Sequence, residues 1–497
     1  MKEDIVKDFL RLQEEISEEV TRRVYRKYGS FSTNLIEKLW GSWGAFISEA
    51  GDQIRLSRGK QQITKHTTAD KVVITYAVDG ENINSECWGT IKNYAKENNC
   101  DLFVLWGKPL GKLGHFSKSV HKELKPYLAT EIVFDNDWRC TAKDLQIPCR
   151  QKNPLINLDK LSNNLLTFIV GATKQYMKIM PYAPTDKYKV AWSTGTISII
   201  NYDKTVSGEL DSQNHTLGAL VLEYSKISRR YIVRNLMYKN GFIADLDKNY
   251  TECCVSKENY IPAMVLGDLH LPEEDHQSIQ SSIKMIQDLK VKYVVLHDIF
   301  SFNSISHHDF NLALTRLLKQ APESQTLEVE LKTASEKLDK IASQCKQTDF
   351  YIVHSNHDDF IMKYLNTCDF VHDMPNVLVA MELFLDIAKG QNPLKKYLTE
   401  SNITFLPQDA SLEVSGFELG QHGSIGIGGA KGSPISYSKT YKKSVSAHTH
   451  SPQTFETAIV VGTNSQLKLN YNAGITTWAH SNVIIHGNGT YQHIFLD

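Results

Sequence analysis

Asp268 and His270 close the stretch Met264-Val-Leu-Gly-Asp-Leu-His270. The apolar run at 263–266 predicts a buried strand. An Asp-x-His alternation then puts both side chains on the same side of an extended backbone. A carboxylate and an imidazole so placed can grip one divalent cation. Alone, such a pair is a weak signal, because any single histidine is more often a core or surface residue. Further polar clusters follow in order: His297-Asp298, Ser355-Asn356-His357-Asp358, Gln421-His422-Gly423 and His448-Thr449-His450. Most follow an apolar run that predicts a strand, at 293–296, 350–353 and 412–419. Polar clusters at successive strand ends are what a metal centre built on loops at one edge of a sheet requires.

The ordered series resembles the calcineurin-like metallophosphoesterase superfamily, whose pattern runs D-x-H, G-D, G-N-H-D/E, H and G-H-x-H. Within it, His297-Asp-Ile-Phe-Ser-Phe-Asn303 resembles the G-D-L-F-H segment of the Mre11/SbcD nuclease branch. The resemblance covers roughly residues 260–497. It implies an α/β fold with a C-terminal four-layer α/β-β-α sandwich. It also implies two divalent ions, about 3.5–4 Å apart. One is expected on Asp268, His270 and His450, the other on Asn356, His422 and His448, with Asp298 bridging. Imidazole, carboxylate and an amide oxygen, with no thiolate, suit manganese first, with magnesium, iron or zinc as alternatives. The family role of His357 is to face the substrate and stabilise or protonate the leaving oxygen. Asp358, or failing it Asp359, is expected to orient that imidazole. The nucleophile implied is metal-activated water or hydroxide attacking phosphorus in line.

Three departures from the pattern stand out. His297, Ser355 and Ala447 occupy positions where the family usually has glycine, and a Cβ there restricts φ, so these loops are expected to differ slightly. The second aspartate of the common G-D-x-x-D form is absent. Ser301 stands where the Mre11 group has a histidine, which counts against an Mre11-like exonuclease mechanism.

The elements that must position these residues occupy about half of the 497-residue chain, a length that allows about two to four domains. A hydrophobic content of 41% with 22% charged residues describes an ordinary globular composition. A formal net charge of −1 advertises no global basic field for nucleic acid, although two divalent ions would supply a local one. Eight scattered cysteines without a C-x-x-C pattern predict reduced thiols. The charged, amphipathic N-terminus does not resemble a signal peptide, and no apolar run nears a bilayer span. These features predict a cytoplasmic protein with no membrane partner, in the host cytoplasm if phage-encoded.

Three regions are expected: a helical head at 1–66, an α/β and β-rich accessory region at 67–255, and the catalytic domain at 256–497. Helical periodicity runs over 3–28, and a second helix is predicted at 32–39 with Ser32 or Thr33 as its cap. The pattern Tyr-x-x-Tyr-Gly, Trp-Gly-Ser-Trp, Ala-Gly resembles small helix-turn-helix-like repeats found beside phage homing endonucleases. The alternative is an amphipathic cap or homo-oligomerisation arm with both tryptophans in its core. Arg55, Arg58 and Lys60 could contact phosphate. So could Lys431 and Lys439, in and after the glycine-rich 420–432 loop. Gly107-Lys-Pro-Leu-Gly-Lys-Leu-Gly114 is glycine-rich and basic but lacks phosphate-loop spacing.

The reading that follows is a metal-dependent DNA nuclease. The whole arrangement is similar to that of early phage proteins implicated in degrading host DNA. The alternatives are a phosphoesterase of another substrate class, a phosphoprotein or cyclic nucleotide, and a non-catalytic DNA-binding or assembly protein.

Overall fold

The computed structural model describes residues 1–15, 20–47, 63–107, 122–162, 164–306, 314, 326–469 and 472–496. The chain forms two units, Met1–Ile63 and Thr64–Asp497. Arg55, Arg58 and Lys60, the loop at 108–114 and the pair His307-His308 lie outside the described residues.

A six-stranded sheet carries the expected strand ends. Its order is Ile403–Phe405, Asp349–Ile352, Tyr293–Leu296, Ala263–Val265, Ser481–Ile485, Tyr491–Phe495. The first four run parallel, Ser481–Ile485 pairs antiparallel with Ala263–Val265, and Tyr491–Phe495 pairs antiparallel with Ser481–Ile485. Parallel neighbours need crossover connections. Helix His276–Asp288, capped by Asp275, and helix Leu327–Gln344, capped by Thr326, supply two of them. Their apolar faces bury Ile279, Ile283, Leu331 and Leu338 against Met264, Val294 and Phe350 on one side of the sheet. Alternation along the strands sends Ala263, Val265 and Val295 to the other side, where they pack on Phe417, Val445 and Ile459 of a second sheet. The architecture is mixed α/β, with a helical layer, a sheet and a second sheet packed face to face.

That second sheet has eleven strands and crosses position 255. Strand Met177–Met180 joins Gln453–Phe455, so residues from both sides of that position share one ladder. A third, eight-stranded sheet holds Lys71–Val78 parallel to Asp101–Gly107 and antiparallel to Gly218–Ser225. It is tied to the C-terminal hairpin by Asn235 Nδ2 donating to the Tyr491 carbonyl at 2.7 Å. The α/β and β-rich character expected of 67–255 is present, with strands at Lys71–Val78, Asp101–Gly107, Glu131–Phe134 and Gly218–Ser225 and a short one at Ser198–Ile199.

The first unit is helical. The single helix expected over 3–28 is two, Lys2–Glu15 and Arg22–Tyr28, the second capped by Thr21. Helix Thr33–Trp40 follows with Ser32 as its cap, and residues 43–47 are helical. Phe9, Tyr25, Ile36 and Phe46 form the core, and Trp40 and Trp43 pack against it. At its centre the buried Asp8 carboxylate accepts from the Tyr25 hydroxyl, the Ser30 amide and hydroxyl, each at 2.7 Å, and Arg11 at 2.9 Å. Burial opposes this charge, but the Ser30, Tyr25 and Arg11 donors overcome it and hold the carboxyl down to about 2.

The folded pKa of Asp8 lies below its unfolded value, so its stabilisation is present above the usual aspartate range and lost as pH falls toward 2. Asp8→Ala leaves the buried Tyr25 hydroxyl without its acceptor, and should cost the head about 1–3 kcal/mol at neutral pH. Amide hydrogen exchange should quicken across its helices, and the difference from wild type should shrink as the pH is lowered. Unchanged exchange would remove Asp8 from the account of the head's stability.

Candidate metal centre

Asp268 and His270 follow strand Ala263–Val265 through Gly267. A Cβ on Gly267 would sit 2.6 Å from the Thr463 backbone, so only glycine allows that approach. The Gly267 amide donates to Asn482 Oδ1, which also accepts from Asn464. This buried amide pair fixes the turn.

The extended Asp-x-His expected from the sequence is not what forms. His270 has φ +48°, and its amide donates to the Asp298 carbonyl at 2.7 Å. Asp298, His448 and His450 also lie in the left-handed region, at φ +43°, +71° and +56°. Non-glycine residues rarely adopt it, and each costs on the order of 1–3 kcal/mol unless its surroundings hold it there. His297, Ser355 and Ala447 do not adopt positive φ. That agrees with the Cβ restriction at these three positions, and the left-handed turns fall on ligand-type residues.

These turns gather Asp268, His270, Asp298 and His450 into one buried group, and Asp298, His422 and His448 into a second. Within each group the ligand atoms lie within 4.8 Å of one another, and Asp298 belongs to both. His450 Nε2 is 3.0 Å from Asp268 Oδ2 and 2.9 Å from His270 Nε2. Asp298 Oδ2 is 3.6 Å from His270 Nε2 and 3.3 Å from His422 Nε2. Asn356 reaches the second group, its Oδ1 3.0 Å from His422 Nε2.

The electrostatics favour a cation. Burial pushes His270 down to about 3 and His448 down to about 4, which leaves their lone pairs free. Burial opposes charge on Asp298 too, yet the imidazoles of His422, His357 and His270 hold its carboxyl well below the usual range. Burial is likewise overcome at His422, which Asp298 raises to about 9. A proton on His422 thus offsets part of the buried negative charge. Asp268 Oδ1, Asp298 Oδ1, and Nδ1 of His422 and His450 are buried without a hydrogen-bond partner. Buried charges left this way are costly unless paired or coordinated. Carboxylates and neutral imidazoles converging without thiolate fit a divalent ion, so the group can hold one.

His357 sits beside this group, its ring 4.7 Å from that of His270 and stacked on Phe360. Its Nδ1 is 2.9 Å from the Ser301 carbonyl, which can only accept, so Nδ1 carries a proton. The orienting group is therefore this carbonyl and not a carboxylate. Asp358 accepts from the Ser355 amide at 2.9 Å, and Asp359 lies 3.0 Å from His354 Nε2. The expectation that Asp358 or Asp359 orients His357 is corrected, because the helix beginning at Asp358 turns both carboxylates toward other partners.

Two neighbours carry no role expected from the sequence. His297 is fully buried, and neither ring nitrogen has a hydrogen-bond partner. Its ring lies 5.6 Å from that of His422. The Trp478 ring packs 4.1 Å from that of His450, and no polar motif marked it. Lys431 and Lys439 are exposed. The glycine-rich loop before them closes on itself, Gly432 donating to the Ser424 carbonyl and the Tyr437 hydroxyl to the Ile425 carbonyl.

The chain is similar to Protein A1 of Escherichia phage T5. The two are 26% identical over 357 residues, 67% of this chain. The chain spans 63% of that relative's length. This likeness suggests a phage protein. No family model matches the chain and no solved structure matches it. Among the described residues, no helix is long and apolar enough to cross a membrane.

Because Asp298 belongs to both groups, Asp298→Asn should lower metal retention by both, whereas His450→Ala should affect mainly the first. Elemental analysis of the purified variants, loaded with manganese and desalted, checks this. Wild-type metal content in Asp298→Asn would contradict the shared role.

Proposed function

We propose that this chain is a divalent-metal-dependent phosphodiesterase of the metallophosphoesterase type that cleaves DNA, phage-encoded and acting on host DNA. The observation that carries the reading is Asp298, a single buried carboxylate common to two Asp/His groups. Two ions held there, manganese first, would polarise a phosphodiester and supply a nucleophile at neutral pH. The chain's own residues do the rest. Asp268, His270 and His450 fix one side, and His422, His448 and Asn356 the other. His357, its Nδ1 proton committed to the Ser301 carbonyl, keeps Nε2 for the substrate. Protonated there, it can deliver a proton to the departing oxygen, the role of a general acid. In this reading the head at 1–63 binds DNA, with its exposed Arg23 and Arg26 available to phosphate. The missing Mre11-type histidine at Ser301 is compatible with the reading, because that residue's backbone still orients His357.

His357→Ala should retain metal and DNA binding but cleave DNA at least about a hundredfold more slowly, the usual scale of general-acid assistance. The loss should be small for an aryl phosphodiester, whose leaving group needs no proton. Equal losses on both substrates would replace proton donation by electrostatic stabilisation. The whole reading fails if the manganese-loaded wild-type protein cleaves neither DNA nor an aryl phosphodiester. A protein that cleaves only the latter would be a phosphoesterase of another substrate class.

A further inference from the structure

Lys239 ends strand Arg230–Lys239, and Lys443 immediately precedes strand Ser444–Ser446. Both ammonium groups donate to one acceptor, the Gly489 carbonyl, at 3.2 and 2.6 Å. Gly489 sits in the turn of the C-terminal hairpin at φ +70°, where a Cβ would lie 2.9 Å from Lys239 Nζ. The positive φ favours glycine at this turn, and a Cβ there would displace the flexible end of Lys239. Among the described residues neither makes an ion pair with a carboxylate, although Glu456 lines the same cleft. Burial and the adjacent Lys239 ammonium push Lys443 down to about 8, with exposed Lys442 adding to the effect. Two like charges held side by side with no acid between them repel one another, and an anion bridging them removes that penalty.

The cleft in front of the pair is about 440 Å³, within the range of small-molecule sites. Its walls offer the Phe417 ring, 4.9 Å from Lys443 Nζ, and polar groups of Thr457, Thr490 and Asn214. It lies away from the metal centre. Lys443 precedes the strand that His448 and His450 follow. Gly489 follows Ile485, which pairs with Ala263, the opposite end of the strand that leads to Asp268.

We propose that Lys239 and Lys443 form an anion site for a phosphate group, in a nucleotide-sized cleft at the end of the sheets opposite the metal centre. Lysine ammoniums bind phosphate as compact point charges. The phosphate belongs either to a free nucleotide or to a DNA backbone, and both present the same chemistry to the pair. The site does not depend on the metal-centre reading.

The test is calorimetric titration of the full chain, with a chelator present to keep metal out of the other site. The probes are inorganic phosphate, 5′-deoxyadenylate and a short single-stranded oligodeoxynucleotide. Wild type and Asp298→Asn should bind alike. Lys239→Met/Lys443→Met should bind at least about tenfold more weakly, the scale of losing one charge-assisted hydrogen bond. Its thermal midpoint should not fall. Should the double variant fail to fold, Lys443→Gln replaces it, with the same expected direction. A loss of oligonucleotide affinity in the lysine variant at least about tenfold larger than its loss of deoxyadenylate affinity identifies a DNA backbone as the ligand, whatever the head contributes to both proteins, and a smaller or equal loss identifies a free nucleotide. Wild-type affinity in the lysine variants, or no binding of any probe by wild type, overturns the proposal.

Discussion

Two carboxylates share a largely buried space with imidazoles, those of His270 and His448 held uncharged and that of His422 protonated, and Asp298 belongs to both groups there. Its carboxyl stays ionised against burial chiefly because the protonated His422 beside it favours the charge. The rest of the second unit can be understood as what holds this arrangement in place. The parallel strands aim their C-terminal ends at one edge. The apolar layers on both sides of the six-stranded sheet make that edge rigid. The buried Asn464–Asn482 pair locks the turn at Gly267.

The backbone carries part of the load. Four ligand-type residues occupy left-handed φ, which an isolated peptide would leave. Backbone hydrogen bonds from His270 to the Asp298 carbonyl, and from Ala479 to the His450 carbonyl, hold those turns against relaxation. The strain is stored where side chains must converge from separate strands, and regular structure elsewhere offsets it.

Much of this was legible in the sequence. The strands before Asp268, Asp298 and Asn356 were readable because parallel strands buried on both faces are continuous apolar runs. The order of the polar clusters gave the set of residues that the fold brings together. What was not legible depends on three-dimensional neighbours. Left-handed φ at His270 and Asp298 has no signature in residue type. The partner of His357 is a backbone carbonyl, and carbonyls look alike in every sequence. The helix expected over 3–28 divides because Thr21 caps a new start, and the periodicity on either side hid the break. Strand Met177–Met180 was missed because Lys178 and the short flanking turns break its apolar pattern. Its pairing with Gln453–Phe455, which carries one sheet across position 255, is a long-range contact that no local pattern announces.

Asp298 belongs to both Asp/His groups, and we propose that it is shared between two cations. Crystals of the full chain grown with manganese, and an anomalous difference map collected near the manganese edge, test it most directly. Two peaks about 3.5–4 Å apart are expected on either side of the Asp298 carboxylate. One should lie within reach of Asp268, His270 and His450, and the other of His422, His448 and Asn356. A single peak that does not touch Asp298, or no peak at saturating manganese, would contradict it.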